Sequence, residues 1–243
     1  RKCPVVFEAP VAKSLFRTFV HAASGSALYR KTSFLEGMLN KPIFPDHLSI
    51  LENPFIPRYW GSAPFDDEGV RPSERLVVDH GVLSGLFLSS YSARKLGMTT
   101  TGNAGGPYNL IFSEAPEASE KTLSALLSRM GTGLLVTELI GQGVNYTTGD
   151  FSKGASGFWV ENGRIAYPVE GITVAGNLRD IFMSIEAMSD DVDLNGCYLS
   201  GSVLIKEMTV AANSATPYCL TVLCFSNLLW LRLNIILIII ICY

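Results

Sequence analysis

The 243-residue chain carries a formal net charge of −3, and 48% of its residues are hydrophobic. This apolar share is enough for the buried core of one large domain or two small ones, and the lack of a basic stripe argues against a nucleic-acid-binding surface. The five cysteines are an odd number without Cys-x-x-Cys spacing, which argues against a disulfide framework or a zinc ribbon. We therefore expect a protein of a reducing compartment, the cytoplasm.

The N-terminal part of the chain predicts a strand followed by a helix. Residues 5–7 are an apolar run, and Pro10 suits the first turn of a helix over residues 10–23. Val11, Leu15 and Phe19 recur there at helical spacing. A shorter helical or irregular piece follows at residues 26–39. Because the chain begins at Arg1 and enters a strand almost at once, we expect an N-terminal domain to be missing.

The middle of the chain predicts short strands and turns. Prolines punctuate residues 42–64, which leaves strands only near residue 43 and at 48–51. Residues 75–79 and 82–88 flank His80-Gly81 and predict a β-hairpin. A helical turn or two at 90–97, a glycine-rich loop at 101–106 and a strand at 108–112 come next.

The C-terminal part predicts one helix on each side of a hairpin, followed by further strands. Ser119 is a candidate N-cap for a helix that Gly131 ends, and residues 134–140 predict a strand. Asn162-Gly163 between two apolar runs favours a type I′ hairpin turn. Asn177 can cap a helix running to about Met188, with strands at 172–175, 203–205 and 208–211. The prediction is an α+β, β-dominated domain of antiparallel sheets and hairpins with a few helices.

An atypical apolar tail occupies residues 213–243. Residues 220–243 are long and apolar enough to span a bilayer, although burying Arg232 near the middle of the membrane would cost about 3 kcal/mol. A membrane anchor, a core segment, and a tail added by a frameshift or lost stop codon are the alternatives. The pattern before the tail favours the last, so we expect no membrane contact unless the tail is genuine.

Glycine is concentrated at residues 139–163, where six glycines lie between apolar runs. No Lys-Ser or Lys-Thr follows them, so this is not a phosphate loop. Tight turns between strands explain the pattern, and so does a backbone-lined groove that receives an extended peptide by strand addition. The groove hypothesis also uses the loop at 101–106, and it expects Gly143→Val to impair peptide processing more than folding. Its candidate residues are Asn103, Gly105, Gly106, Gly141, Gly143, Asn145, Thr148, Gly149 and Asp150.

Several longer sequence segments resemble those of a known protein family and occur in the same order. The longest segments are MGTGLLVTELIGQGVN, TTGDFSKGASGFWVENG and PVEGITVAGNLRDIF, and the shorter ones are SALYRKTSFL, SYSARKLG, TGNAGG and GSVLI. Together they resemble the C-terminal half of the TldD/PmbA family. This family is also called the modulator-of-DNA-gyrase family, and the resemblance is closer to its PmbA (TldE) branch. These segments cover roughly residues 4–212, so we assign residues 1–212 to the family domain.

The resemblance implies a subunit of a zinc metallopeptidase that processes or degrades unfolded peptides. Its partner would be a TldD-type chain, whose helix carries His-Glu-x-x-x-His. Aligning His21 with the second histidine of that motif puts Phe16 at the first histidine and Arg17 at the glutamate. An aromatic ring cannot ligate zinc, and a guanidinium cannot act as its base. The resemblance therefore implies no zinc in this chain and zinc in the partner.

Two other functions remain alternatives. One is an autonomous metallopeptidase with an unrecognised ligand set, and the other is a membrane-tethered peptide-binding module, which needs a genuine tail. Further patterns are interpreted as ordinary structure, because each lacks a completing partner. They are Cys197, His47, His80, Ser156, the acidic run at 66–68 and the Asp191-x-Asp193-x-Asn195 run.

Overall fold

The computed structural model describes residues 1–115 and 119–212, and the predictions for the tail at 213–243 lie outside these ranges. Within the described residues no helix is long and apolar enough to cross a membrane. The helices are α1 Ala9–Ala22, α2 Gly25–Tyr29, α3 Ser90–Leu96, α4 Leu123–Met130 and α5 Leu178–Met183. The strands are β1 Lys2–Phe7, β2 Leu48–Asn53, β3 Arg75–Asp79, β4 Val82–Leu83, β5 Asn109–Glu114, β6 Ser119–Glu120, β7 Gly133–Ile140, β8 Val144–Asn145, β9 Asp150–Glu161, β10 Arg164–Asn177, β11 Ile185–Ser189, β12 Tyr198–Leu199 and β13 Val203–Ala212.

The strands form two sheets. The large sheet has eight strands in the order β1-β7-β9-β10-β13-β11-β6, with β8 paired to β9. Because β1 also pairs with β13, five of these strands close into a hydrogen-bonded ring. The small sheet has five strands in the order β12-β5-β2-β3-β4. The predicted α+β, β-dominated fold is confirmed.

Helix α1 contacts both sheets and carries the aromatic centre of the core. It touches β7 of the large sheet and β12 of the small sheet. The ring of Phe16 lies 4.0 Å from that of Phe112 on β5, and Phe19 packs edge-on against Phe44 and Phe182. The apolar spacing that predicted the helix is thus the face buried between the sheets.

The hairpin turns follow from residues that tolerate positive φ. Asn162 and Gly163 have φ of 51° and 74° between β9 and β10, as a type I′ turn requires. His80 and Gly81, at 44° and 75°, turn β3 into β4. The second strand of that hairpin is shorter than the predicted residues 82–88, since the backbone N–H groups of Ser84 and Gly85 both donate to the carbonyl of Val77 and end the ladder.

Two predicted helix boundaries are wrong. Ser119 does not cap α4; it pairs with Met188 in the parallel β6–β11 ladder, and Thr122 accepts the capping bond from the backbone N–H of Ala125. The helix after Asn177 ends at Met183 instead of Met188, because residues 185–189 pair with β13. Long-range strand pairing overrides the local helical pattern in both places.

The carboxylate of Glu114 connects the two sheets. It lies at the end of β5, its side chain is 1% exposed, and its Oε2 accepts a 2.6 Å hydrogen bond from the backbone N–H of Met188 on β11. Its Oε1 lies 3.4 Å from Nε2 of His47. Burial raises the pKa of Glu114 from 4.5 to about 7, because the charged form is poorly solvated there.

Replacing Glu114 by glutamine should change how stability depends on pH. The raised pKa means that Glu114 binds more protons in the folded chain than in the unfolded chain between about pH 4.5 and 7, so its contribution to stability falls as pH rises through this window. Glu114→Gln keeps an acceptor for Met188 and removes this titration, which is worth up to ~1.4 kcal/mol per pH unit. Urea unfolding from pH 4.5 to 7.5 measures the slope.

The exposed Glu36 provides the control, since Glu36→Gln should leave the wild-type slope unchanged. If Glu114→Gln and the wild-type chain show the same slope, Glu114 does not titrate as its burial requires.

Candidate functional site

The three positions that match the zinc motif lie on α1, and the first of them is occupied by a side chain packed in the core. Phe16 is fully buried against Phe112. The exposed Arg17 extends its guanidinium over the ring of Tyr198, 5.7 Å from the ring centroid. His21 is exposed near the end of the helix and stacks on Tyr146, with ring centroids 3.9 Å apart. Only His21 among the three motif positions offers a metal-ligand atom.

The donor set around α1 does not fit a zinc ion. Within residues 1–115 and 119–212, no group of three or more His, Cys, Asp and Glu side chains could hold a metal ion. Cys197 lies near Arg17, but burial raises the pKa of its thiol, whereas zinc binds the thiolate. That this chain binds no zinc stays a prediction, and the geometry supplies its physical reason.

A loop covers the N-terminal half of the same face of α1. The ammonium of Lys13 contacts Asp193 at 2.6 Å and donates to the carbonyl of Asn195. The hydrogen bond from Lys13 to the Asp193 carboxylate is the main cause of the lowered pKa of Asp193. Asp191 meanwhile accepts hydrogen bonds from the backbone and hydroxyl of Ser202. These contacts account for the calcium-like Asp and Asn run as loop structure.

A cleft of about 510 Å³ opens at the C-terminal end of α1. We call it the His21 cleft. Its lining includes three predicted peptide-binding residues together with side chains from α2, α3 and the residue after α2 that the sequence did not single out. The lining residues used below are His21, Tyr29, Arg30, Tyr91, Asn103, Gly105 and Gly106.

Asn103 holds the glycine-rich loop in place. Its amide nitrogen donates to Oε1 of Glu52 at 2.8 Å and to the carbonyl of Gly106 at 3.2 Å. Its amide oxygen accepts from Thr101 at 2.6 Å and from Arg75 at 3.2 Å. Because a primary amide has two donors and two acceptor positions, the side chain has no capacity left for a ligand. Asn103 therefore positions the loop, and only its backbone can serve the predicted peptide site.

A buried ion pair supports Asn103 from below. The Glu52 side chain is 1% exposed, and its Oε2 lies 2.9 Å from both Nε and Nη2 of Arg75. Oε1 also accepts from the backbone N–H of Tyr108, whose hydroxyl donates to the carbonyl of Gly102. Burial is the main cause that raises the pKa of Tyr108 to about 12. Sequence reasoning missed this network because Glu52 and Arg75 are 23 residues apart and no local motif joins them.

The other predicted segment, residues 141–150, lies at a separate shallow depression of about 340 Å³ lined by Gly143, Asn145 and Asp150. Its loop is tied by its own side chains: Oδ1 of Asn145 accepts from the backbone N–H groups of Thr147 and Thr148, and the hydroxyl of Thr148 donates to Asp150 at 2.6 Å. The two segments do not line one common cavity. Tyr146 of the second segment stacks on His21, which lines the His21 cleft.

Steric crowding explains why position 143 is a glycine. A Cβ there would lie 1.6 Å from the carbonyl oxygen of Ser152, where β8 and β9 run side by side. By contrast, Gly141 has a φ of 93° with open space around it. A side chain at 143 would displace backbone, so Gly143→Val should impair folding as well, and the expected larger effect on processing stays a prediction.

The chain matches the model of the PmbA/TldA metallopeptidase C-terminal domain over residues 1–212. It belongs to this family. The expected resemblance to the TldD/PmbA family is confirmed.

Two curated relatives show how much of a family protein the chain represents. It is 47% identical over 213 residues to the metalloprotease PmbA homolog of Haemophilus influenzae, covering 88% of this chain and 47% of that protein. It is 47% identical over 210 residues to metalloprotease PmbA of Escherichia coli O157:H7, covering 86% and 46%. The chain thus spans about half the length of the curated relatives it matches.

Solved structures of family members share the fold. A protein from Bacteroides thetaiotaomicron, described as a modulator of DNA gyrase, matches with a TM-score of 0.81 and 32% identity over 87% of this chain and 47% of that one. A protein of the same description from Thermotoga maritima gives 0.79 and 35% over 87% and 50%. TldE from Thermococcus kodakarensis gives 0.74 over 87% and 50%, and at 22% identity it supports the fold alone.

Removing the buried carboxylate should destabilise the chain strongly. Glu52→Ala leaves the guanidinium of Arg75 without its partner and frees one Asn103 donor, so we expect the free energy of unfolding to fall by about 3–5 kcal/mol. Denaturant unfolding of the full chain measures this.

The exposed Glu74 is the matched control, because its carboxylate accepts from Asn53 at the surface. Glu74→Ala should cost less than about 1 kcal/mol. Similar losses for the two alanine variants would show that the Glu52 network does not carry the stability assigned to it.

Proposed function

We propose that this chain is the non-metal-binding subunit of a TldD/TldE-type zinc metallopeptidase that processes or degrades unfolded peptides. The observation that carries the proposal is the α1 face: Phe16 is locked into the core where the motif needs its first histidine, and Arg17 puts a cation where it needs a carboxylate. A ligand set cannot be completed from His21 alone.

The relatives support a paired enzyme. The curated relatives are named metalloproteases, so the family is associated with metal-dependent proteolysis. The same Haemophilus influenzae strain that holds the 47% identical PmbA homolog also holds a metalloprotease TldD homolog, 25% identical to this chain over 182 residues. On this proposal zinc resides in the TldD-type chain, and the present chain contributes to binding the peptide.

The peptide would be held largely through backbone groups. Unfolded substrates share a main chain and differ in side chains, so glycine-lined surfaces suit a subunit that accepts many sequences. The glycine loop of the His21 cleft and the depression beside Gly143 are two glycine-lined surfaces that suit this role.

Reconstitution tests the proposal. The full chain and a TldD-type chain of the same organism are purified separately, then assayed alone and mixed on a quenched fluorescent unfolded peptide. We expect the two chains to co-elute in gel filtration, hydrolysis only in the mixture, and complete loss when the first motif histidine of the TldD-type chain is replaced by alanine. Replacing the exposed His80 of this chain by alanine is the matched control and should leave the rate unchanged.

Hydrolysis by this chain alone after loading with zinc would contradict the proposal. So would a mixture whose activity survives the substitution in the TldD-type motif.

A further inference from the structure

The wall of the His21 cleft carries the cationic side chain of Arg30. Arg30 lines the cleft and is exposed, and no described carboxylate pairs with it. Its Nε donates to the hydroxyl of Tyr29 at 2.9 Å, which orients the guanidinium and leaves its other donors for a ligand. A guanidinium binds a carboxylate through two parallel hydrogen bonds, which makes arginine the usual receptor for this group.

Charged groups of both signs surround the cleft. Arg94 and Lys95 lie over the ring of Tyr91, 6.0 and 5.6 Å from its centroid. Four carboxylates lie near the cleft without lining it. Asp67 is next to Gly105, and Glu68 accepts the backbone N–H of Ser90 at 2.7 Å. Asp66 accepts the backbone N–H of Ala104, and Glu52 accepts from Asn103 and pairs with Arg75. The lining itself therefore contains cationic and neutral groups only, as far as the described residues go.

The remaining walls suit the last residues of a peptide. The rings of Tyr29 and Tyr91 meet edge to face with centroids 5.7 Å apart and offer an apolar surface for a side chain. Gly105 and Gly106, with φ of 102° and 127°, bring bare backbone to the cleft. The backbone N–H of Gly105 donates to no described group and can bond a peptide carbonyl. A volume of about 510 Å³ holds a short peptide segment.

We infer that the His21 cleft binds the C-terminal end of a peptide, with its free α-carboxylate on Arg30, its last side chain on the two tyrosines and its main chain along Gly105. This inference rests on the proposed function, since it names the part of an unfolded peptide that this subunit holds. On this inference the cleft recognises the ends of peptide chains and takes no part in hydrolysis.

Fluorescence anisotropy with three labelled peptides tests the inference on the full chain at low salt. The peptides share the sequence Gly-Ala-Ser-Gly-Ala-Leu or a variant of it: one ends in a free carboxylate, one in a C-terminal amide, and one is an amide with glutamate as its last residue. We expect the free acid to bind about 10-fold more tightly than either amide, as charge-assisted hydrogen bonds predict.

Variants of Arg30 locate the carboxylate. Arg30→Gln should abolish the preference for the acid, and Arg30→Lys, which keeps the charge without the planar fork, should retain part of it. Arg164→Gln is the control, because Arg164 is an exposed arginine on β10 outside the cleft lining, and it should keep the full preference. Thermal unfolding of each variant checks that the fold is intact.

Equal binding of the acid and its amide, no detectable binding of the acid, or a preference that survives Arg30→Gln would overturn the inference. Binding of the glutamate-ended amide as tight as that of the acid would overturn the assignment to the terminal carboxylate. The assay contains neither a partner chain nor a metal, so its failure is separate from failure of the reconstituted peptidase.

Discussion

The burial of α1 between two sheets is the constraint on which the rest of the structure depends. Nearly every apolar side chain of this helix is enclosed, and its outward positions are limited to a narrow stripe. Arg17 and His21 lie on that stripe at four-residue spacing, and the buried Lys13 lies one turn before Arg17 on the same side of the helix. Lys13 is held by the loop at 193–195, whereas Arg17 and His21 are exposed.

This arrangement explains why a metal motif would be hard to restore on this helix. Position 16 points into the aromatic core, where the ring of Phe16 meets Phe112. A histidine introduced there would be surrounded by apolar groups, and leaving a buried polar group without a partner is costly. The absence of the motif's first ligand and the aromatic core contact therefore both follow from Phe16.

A second constraint turns a glycine-rich loop into a defined surface. Glycines at 102, 105 and 106 adopt positive φ, and such a loop would have high conformational entropy when free. Glu52 and Asn103 fix it through five hydrogen bonds and an ion pair to Arg75. A preformed loop loses less entropy when a ligand binds, which is why a rigid support matters for a cleft that recognises main chain.

Much of the fold could be predicted from local signals. Pro10 and the apolar spacing after it indicated α1, and Asn162-Gly163 indicated the longest hairpin, because both depend on residues close in sequence. The short strands β6, β11 and β12 could not be predicted, since they exist only through partners far along the chain. The loop at 101–106 was predicted to bind a peptide through its backbone, because it is rich in Gly, Asn and Thr. That the Asn103 side chain supports the loop could not be predicted, since Glu52 and Arg75, two of its partners, lie over 25 residues away.

The measurement that tests the central claim most directly is the metal content of the purified full chain, determined by elemental mass spectrometry after exhaustive dialysis. The structure predicts no stoichiometric zinc, because Phe16 and Arg17 remove the ligand and the base that the motif needs. One zinc per chain would contradict this account and would require a ligand set that includes residues outside those described.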